Sequence, residues 1–238
     1  MDPRLLSIIE HCLPLWREEF EIGYRAFRVS NIYREPHWLA AQIWKEWGGS
    51  GVYGPTGTDL ASVTVMESAA NAEEELAHYD SLRSLVEIMD VPPGDFTPRP
   101  AARELVTFRN QLWDDLLLRH AVRMSEGGGL GMLHGAIAGV ESLGSPRSQD
   151  DACKTCFTAI IADEAGHLGG AIAGFLEAEC DAEQEAAVLD ALTICLTLKV
   201  AERREQFAAQ LGGGEVSGAE YQDALAAYER RICELLGG

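Results

Sequence analysis

Apolar residues recur along this chain at three- and four-residue spacing, and no stretch keeps the two-residue alternation of a half-buried strand. The pattern predicts helices almost throughout. The first extends from about Pro3 to Trp47, too long for one ordinary helix, and Pro36 divides it near Tyr33. Gly48 to Thr58 reads as a loop, a second helix follows from Asp59 to Asp90, and the prolines of Val91 to Pro100 make the next connection. A third helix runs from Ala101 towards Ser125, is interrupted by Gly127, Gly128 and Gly129, and resumes from Leu130 to Leu143. After a tight turn at Leu143 to Ser148 come a fourth helix, Asp150 to Glu179, and a fifth, Ala182 to Leu211. Ser217 and Glu220 have the spacing of a capping box for a last helix ending near Leu236. Nothing in the pattern divides the chain, so one helical domain over residues 1–238 is expected.

Charge and composition narrow the partners. Asp and Glu number 38 against 19 Lys and Arg, a formal charge of -19, and the basic residues are scattered. A phosphate backbone needs a basic stripe, so nucleic acid is not an expected partner. There is no apolar run of the ~20 residues that a bilayer requires. Met1 to Glu10 mixes acids with apolar residues and lacks a small-residue cleavage site, so a cytoplasmic setting is expected. The six cysteines mostly sit among Ala, Ile and Leu and read as buried thiols.

Two segments carry chemistry. The second helix holds Glu75 and His78, the fourth Glu164 and His167, each a Glu-x-x-His. Residues i and i+3 share a helix face and can reach one point. Carboxylate oxygen and imidazole nitrogen suit iron or manganese, and a carboxylate can bridge two ions. Glu164 lies on the apolar face of its helix, and Thr155 to Gly174 contains no Lys or Arg to neutralise it. A buried carboxylate there calls for a metal or another cation.

A four-helix site for two ions takes one further carboxylate from each remaining helix. Counting back across the turn at Ser145 as far as Glu164 and His167 lie beyond it reaches Glu126, while Glu141 lies almost in the turn. The same reflection across Gly48 to Thr58 carries Glu75 and His78 to the neighbourhood of residues 29–33. Glu35 is the nearest acid, Glu46 and Glu21 fall several turns away, and His37 is an alternative ligand. Cys153 and Cys156 form a Cys-x-x-Cys on the fourth helix, read as core residues in preference to a redox relay. His11, His120 and His134 are isolated and take a structural reading, His134 being the one that could face a cavity behind the glycines.

These residues resemble the ferritin-like di-iron carboxylate superfamily. The resemblance rests on Ile161-Ala-Asp-Glu164-Ala-Gly-His167, Glu74-Glu75-Leu-Ala-His78-Tyr and Ser125-Glu126-Gly-Gly-Gly-Leu-Gly. It implies an all-α ferritin-like four-helix bundle over about 16–179, with accessory C-terminal helices over about 182–236. It also implies Glu35, Glu75, Glu126 and Glu164 as carboxylate ligands, with His78 and His167 capping each of two Fe ions, or Mn in their place. A second resemblance, to the haem-oxygenase-like di-iron oxidases, would use Asp163, His167 and Glu67, but it asks for a His near Ile160 and there is none.

The implied activity is that of a di-iron oxidoreductase, a monooxygenase or oxidase that uses O2 on a small-molecule substrate, with room for an external electron donor and a homodimer. An iron-binding ferroxidase without an organic substrate is the alternative. A helical interaction module with a structural metal or none is a third.

Overall fold

The computed structural model describes residues 2–49, 69–91, 97–212, 216 and 218–237, and among these it contains helices and no strand. In chain order the helices are α1 (Pro3–Arg28), α2 (His37–Gly49), α3 (Ala69–Met89), α4 (Pro100–Trp113), α5 (Arg119–Glu126), α6 (Gly128–Glu141), α7 (Asp150–Glu177), α8 (Ala182–Gln206) and α9 (Ala219–Gly237). The expected helical start at Asp59 and the capping Ser217 lie outside the described residues. No helix among the described residues is long and apolar enough to cross a membrane.

Local chemistry explains the breaks. The Asp2 side chain accepts the Arg4 N–H at 2.8 Å and Pro3 occupies the first turn of α1. The long first helix ends at Arg28, and residues 29–36 form turns before α2. Glu35 precedes Pro36, and a residue in that position is pushed away from helical geometry. The expected third helix is two. Asp115 turns its carboxylate onto the N–H groups of Leu117 and Leu118, at 2.8 and 3.0 Å, and so opens α5 after a break from α4. Asp181 and Gln184 close a capping box at the start of α8.

α1 and α6 are the most intimate pair. Gly131, Gly135 and Gly139 recur every four residues on one face of α6. A Cβ added at each would stand 2.6, 2.0 and 2.4 Å from the carbonyl oxygens of Trp16, Phe20 and Tyr24, which recur every four residues on α1. Only bare backbone allows that approach. At the turn into α7, Arg147 donates to the carbonyls of Phe27 and Val29 and pairs with buried Asp150, which also accepts from Tyr33. That clamp fixes the start of α7 against the end of α1.

Apolar side chains form two buried groups. One joins α1, α4, α5, α8, α9, the start of α6 and the second half of α7. The other joins the end of α1, α2, α3, α6, the first half of α7 and the end of α8. The glutamates and histidines of interest lie on α2, α3, α5 and α7, and α3 packs against both α2 and α7.

Candidate metal centre

α2 and α3 bring three donor groups to one point. The ligand atoms of Glu46, Glu75 and His78 all lie within 4.8 Å of one another. Glu75 and His78 share a face of α3, as their spacing requires. His78 is 3 % exposed, and its Nδ1 stands 3.3 Å from Glu46 Oε2.

α7 packs beside α3 in a reciprocal arrangement. His78 Nε2 lies 3.0 Å from Asp163 Oδ2, and His167 Nε2 lies 2.7 Å from Glu74 Oε2. Each histidine of one Glu-x-x-His thus meets the acid that immediately precedes the glutamate of the other. An imidazole whose outer nitrogen is held by a carboxylate presents its other nitrogen in a fixed direction, the arrangement common around metal-bound histidines.

Among the described residues the donor atoms that gather are those of Glu46, Glu75 and His78, while Glu126 of α5 and Glu164 of α7 act on them through their charge. Burial first, then a hydrogen bond shared with Glu46 and the charges of Glu46, Glu164 and Glu126, push the Glu75 carboxyl up to about 11. Burial, Glu46 and Glu126 push Glu164 up to about 7, against the opposing pull of Lys199 and His167. Burial also works to raise Glu46, but its bonds with His78 and Glu75 prevail and hold it below the usual carboxylate range. Burial works to lower His78, yet Glu46 and Asp163 prevail and lift it to about 9. In the metal-free chain His78 is therefore an imidazolium donating to Glu46 and Asp163, and Glu75 carries a proton.

Glu126 ends α5. One of its oxygens pairs with Arg109 of α4, while its charge acts on Glu75 and Glu164. Lys199 of α8 holds the same spot through the backbone, its Nζ donating to the carbonyls of Ser125 and Glu126 at 3.2 Å each. Just beyond, a Cβ on Gly128 would meet Glu19 Oε1 at 2.6 Å and the Lys199 stem at 3.1 Å. Gly128 therefore admits a buried Glu19 and a lysine.

The structure does not bring Glu35 to the cluster. It accepts from Asn31 Nδ2 at 3.0 Å and from Gln210 Nε2 at 3.4 Å. It sits just before α2, eleven residues from Glu46, on the order of 16 Å along a helix. The first carboxylate comes instead from the far end of α2. Glu21 pairs with Arg25, Glu141 is exposed, and His37 lines a separate pocket. Glu67 lies outside the described residues.

Cys153 and Cys156 are buried in the core, and burial pushes the Cys156 thiol up to about 12 and that of Cys153 higher still, so both are unreactive thiols. His134 packs on Tyr228, and burial holds it down to about 4. Gly166, Gly169 and Gly170 meet nothing within 4 Å among the described residues, so they are not packing glycines.

Sequence reasoning passed over Glu74, Arg109 and Lys199, and gave Asp163 a part only in the competing resemblance. A signal for the two acids was present, since both segments read acid-Glu-x-x-His: Glu74-Glu75-x-x-His78 and Asp163-Glu164-x-x-His167. Compared with protein families, curated proteins and solved structures, the chain finds no match in any of the three.

Proposed function

We propose that this cluster holds two iron ions, with manganese as the alternative metal, and that the chain is an O2-dependent oxidase or monooxygenase acting on a small organic substrate in a cytoplasmic setting. The observation that supports it is the reciprocal pairing of two Glu-x-x-His segments beside Glu46. Two helices offer a carboxylate and an imidazole each, and the outer nitrogen of each ring is occupied by an acid from the facing helix. In this reading Glu46, Glu75, Glu126 and Glu164 supply carboxylates, and His78 and His167 supply ring nitrogens.

The residues suit hard or borderline dications. The donors are oxygen and imidazole with no thiolate, and several buried carboxylates repel one another until positive charge is added. A pair of ferrous ions supplies electrons for the reduction of O2. The chain's own part is to hold and orient. Glu74 and Asp163 fix the two rings, and Arg109 and Lys199 fix the end of α5 from which Glu126 projects. Leu168, packed against Gly127, closes α5 onto α7 beside His167. In this reading α2, α3, α5 and α7 are the ligand-bearing helices of a ferritin-like arrangement, and α8 and α9 are the additional helices.

Anaerobic titration with ferrous iron, followed by exposure to O2 and monitored by absorbance and Mössbauer spectroscopy, tests the reading. Two ions per chain and an O2-dependent spectral change are expected. No binding above background overturns it. Catalytic iron oxidation without any organic substrate, in a cage-like oligomer, moves the assignment to a ferroxidase.

A further inference from the structure

The two halves of the carboxylate–histidine cluster are not equally assembled. On α2 and α3 the donor atoms of Glu46, Glu75 and His78 already lie within 4.8 Å of one another. Asp163 holds His78 Nε2 at 3.0 Å, which leaves Nδ1, the nitrogen on the Glu46 side, for an ion. An ion entering there finds its ligands in place, and little ordering cost opposes it.

The other half differs. Among the described residues Glu126, Glu164 and His167 form no such group. His167 Nε2 is held by Glu74 at 2.7 Å, and Glu126 is committed to another helix, its Oε1 accepting from Arg109 Nη2 of α4. The guanidinium is 23 % exposed and the carboxylate 45 %, so this pair is partly open to water. The backbone at the same place is held by a separate group, because Lys199 donates to the carbonyls of Ser125 and Glu126. The end of α5 can therefore stay fixed while the Glu126 side chain exchanges one positive partner for another.

We propose that Arg109 is a latch on the second metal position: it holds Glu126 until an ion takes its place, so the two ions load in order and with unequal affinity. This rests on the two-ion reading above and adds a control to it. The first ion takes the preformed group on α2 and α3. The second has to draw Glu126 away from Arg109. Breaking a partly exposed pair of this kind weakens binding about two- to fivefold. Gathering three separate donors adds to that, so the second ion is expected to bind about tenfold or more weakly than the first.

The test is a titration of the full metal-free chain with Mn2+ alone, counting bound ions by electron paramagnetic resonance, where one isolated ion gives a six-line signal that a neighbouring second ion broadens. The parent is expected to show a tight step and a weak step. Arg109→Met is expected to strengthen the weak step about two- to fivefold and leave the tight step unchanged. Arg109→Gln, which keeps a polar group and loses the charge, is expected to do the same and provides the check if the Met variant folds poorly. Glu164→Gln is expected to remove the weak step and keep the tight one. Two equal steps in the parent overturn the proposal, as does a weak step that neither Arg109 variant strengthens. A tight step lost in Glu164→Gln overturns the order of loading. One ion at saturation in the parent and two in an Arg109 variant support the latch, whereas one ion in all three overturns it. A chain that binds no Mn2+ at all brings down the reading of the cluster itself, and the latch with it.

Discussion

His167 and Glu74 are joined across α7 and α3, Nε2 to Oε2 at 2.7 Å, and His78 and Asp163 repeat the contact in the opposite sense at 3.0 Å. Glu74 and Asp163 are each more than two-fifths exposed, so neither is held there by the demands of the core. Their positions follow from the two histidines, whose rings they orient.

From this follows the first prediction. Glu74→Ala and Asp163→Ala should each lower metal affinity by about 10–100-fold, the cost usual for losing the carboxylate behind a metal-bound histidine. The fold should be kept, because the removed groups are surface acids. Competition between the protein and a chelator for Mn2+ reads the change. Unaltered affinity in both variants would mean that the acids are surface partners of the histidines and nothing more.

The second prediction concerns pH. Glu75 is raised to about 11 and Glu164 to about 7, both chiefly by burial, and His78 is raised to about 9 by Glu46 and Asp163, which outweigh its burial. In each case the folded chain keeps a proton that the unfolded chain gives up near 4.5 or 6.5. The folded state binds more protons, so the metal-free protein loses stability as pH rises from about 5 towards 9. Glu46, held low, works in the opposite sense, and only below its ordinary 4.5. Binding a dication displaces those protons, so metal affinity climbs over the same range. Thermal melts at several pH values should show Tm falling with pH without metal, and the increment from Mn2+ growing. A metal-free Tm that rises from pH 6 to 8 would contradict this arrangement of charges.

A third prediction separates two acids of α2 and its approach. Glu46→Ala should abolish or sharply weaken metal binding, whereas Glu35→Ala should leave it within about twofold, since Glu35 is engaged with Asn31 and Gln210. Metal content by elemental analysis after dialysis decides it. The reverse result would place the first carboxylate at the wrong end of α2.

The same pair shows how far the sequence could be read. Glu75 with His78 and Glu164 with His167 were legible because i and i+3 is a local rule that needs no tertiary knowledge. Glu126 came from a reflection across the short turn at Ser145; its carboxylate pairs with Arg109, and the donor atoms that gather among the described residues are those of Glu46, Glu75 and His78. Glu46 was not legible. The reflection about Gly48 to Thr58 carries Glu75 to the neighbourhood of residues 29–33, whereas Glu75 meets Glu46, and residues 50–68 between α2 and α3 lie outside the described residues. The break between α4 and α5 was missed for another reason. Asp115 looks like any helix-surface acid until its carboxylate is seen on the Leu117 and Leu118 amides. Gly131, Gly135 and Gly139 drew no reading of their own, yet their four-residue spacing reports the face on which α1 lies.

The last prediction concerns Lys199 and Glu19. Glu19 is completely buried, and neither of its oxygens has a hydrogen-bond partner. Burial raises its carboxyl to about 7, and Lys199 is the largest influence holding it down. Lys199 meanwhile spends its ammonium on the carbonyls of Ser125 and Glu126. Removing the lysine therefore does two things. It strips two donors from the end of α5, and it leaves Glu19 short of positive charge in the core. Breaking a buried charge pairing by deleting one partner costs ~3–5 kcal/mol where the remaining group must stay ionised. Glu19 can escape part of that cost by taking up a proton, which it does more readily in acid. Lys199→Met should accordingly destabilise the fold more at pH 8 than at pH 5. Glu19→Gln combined with Lys199→Met should remove most of that pH dependence, because the surviving polar group no longer ionises. Metal binding gives the complementary measurement. If Lys199 positions Glu126, the double variant recovers stability yet keeps a weakened metal site, since the carbonyls of α5 still lack their donor. Full recovery of both stability and metal affinity in the double variant would reduce Lys199 to a counter-charge for Glu19, with no part in holding Glu126.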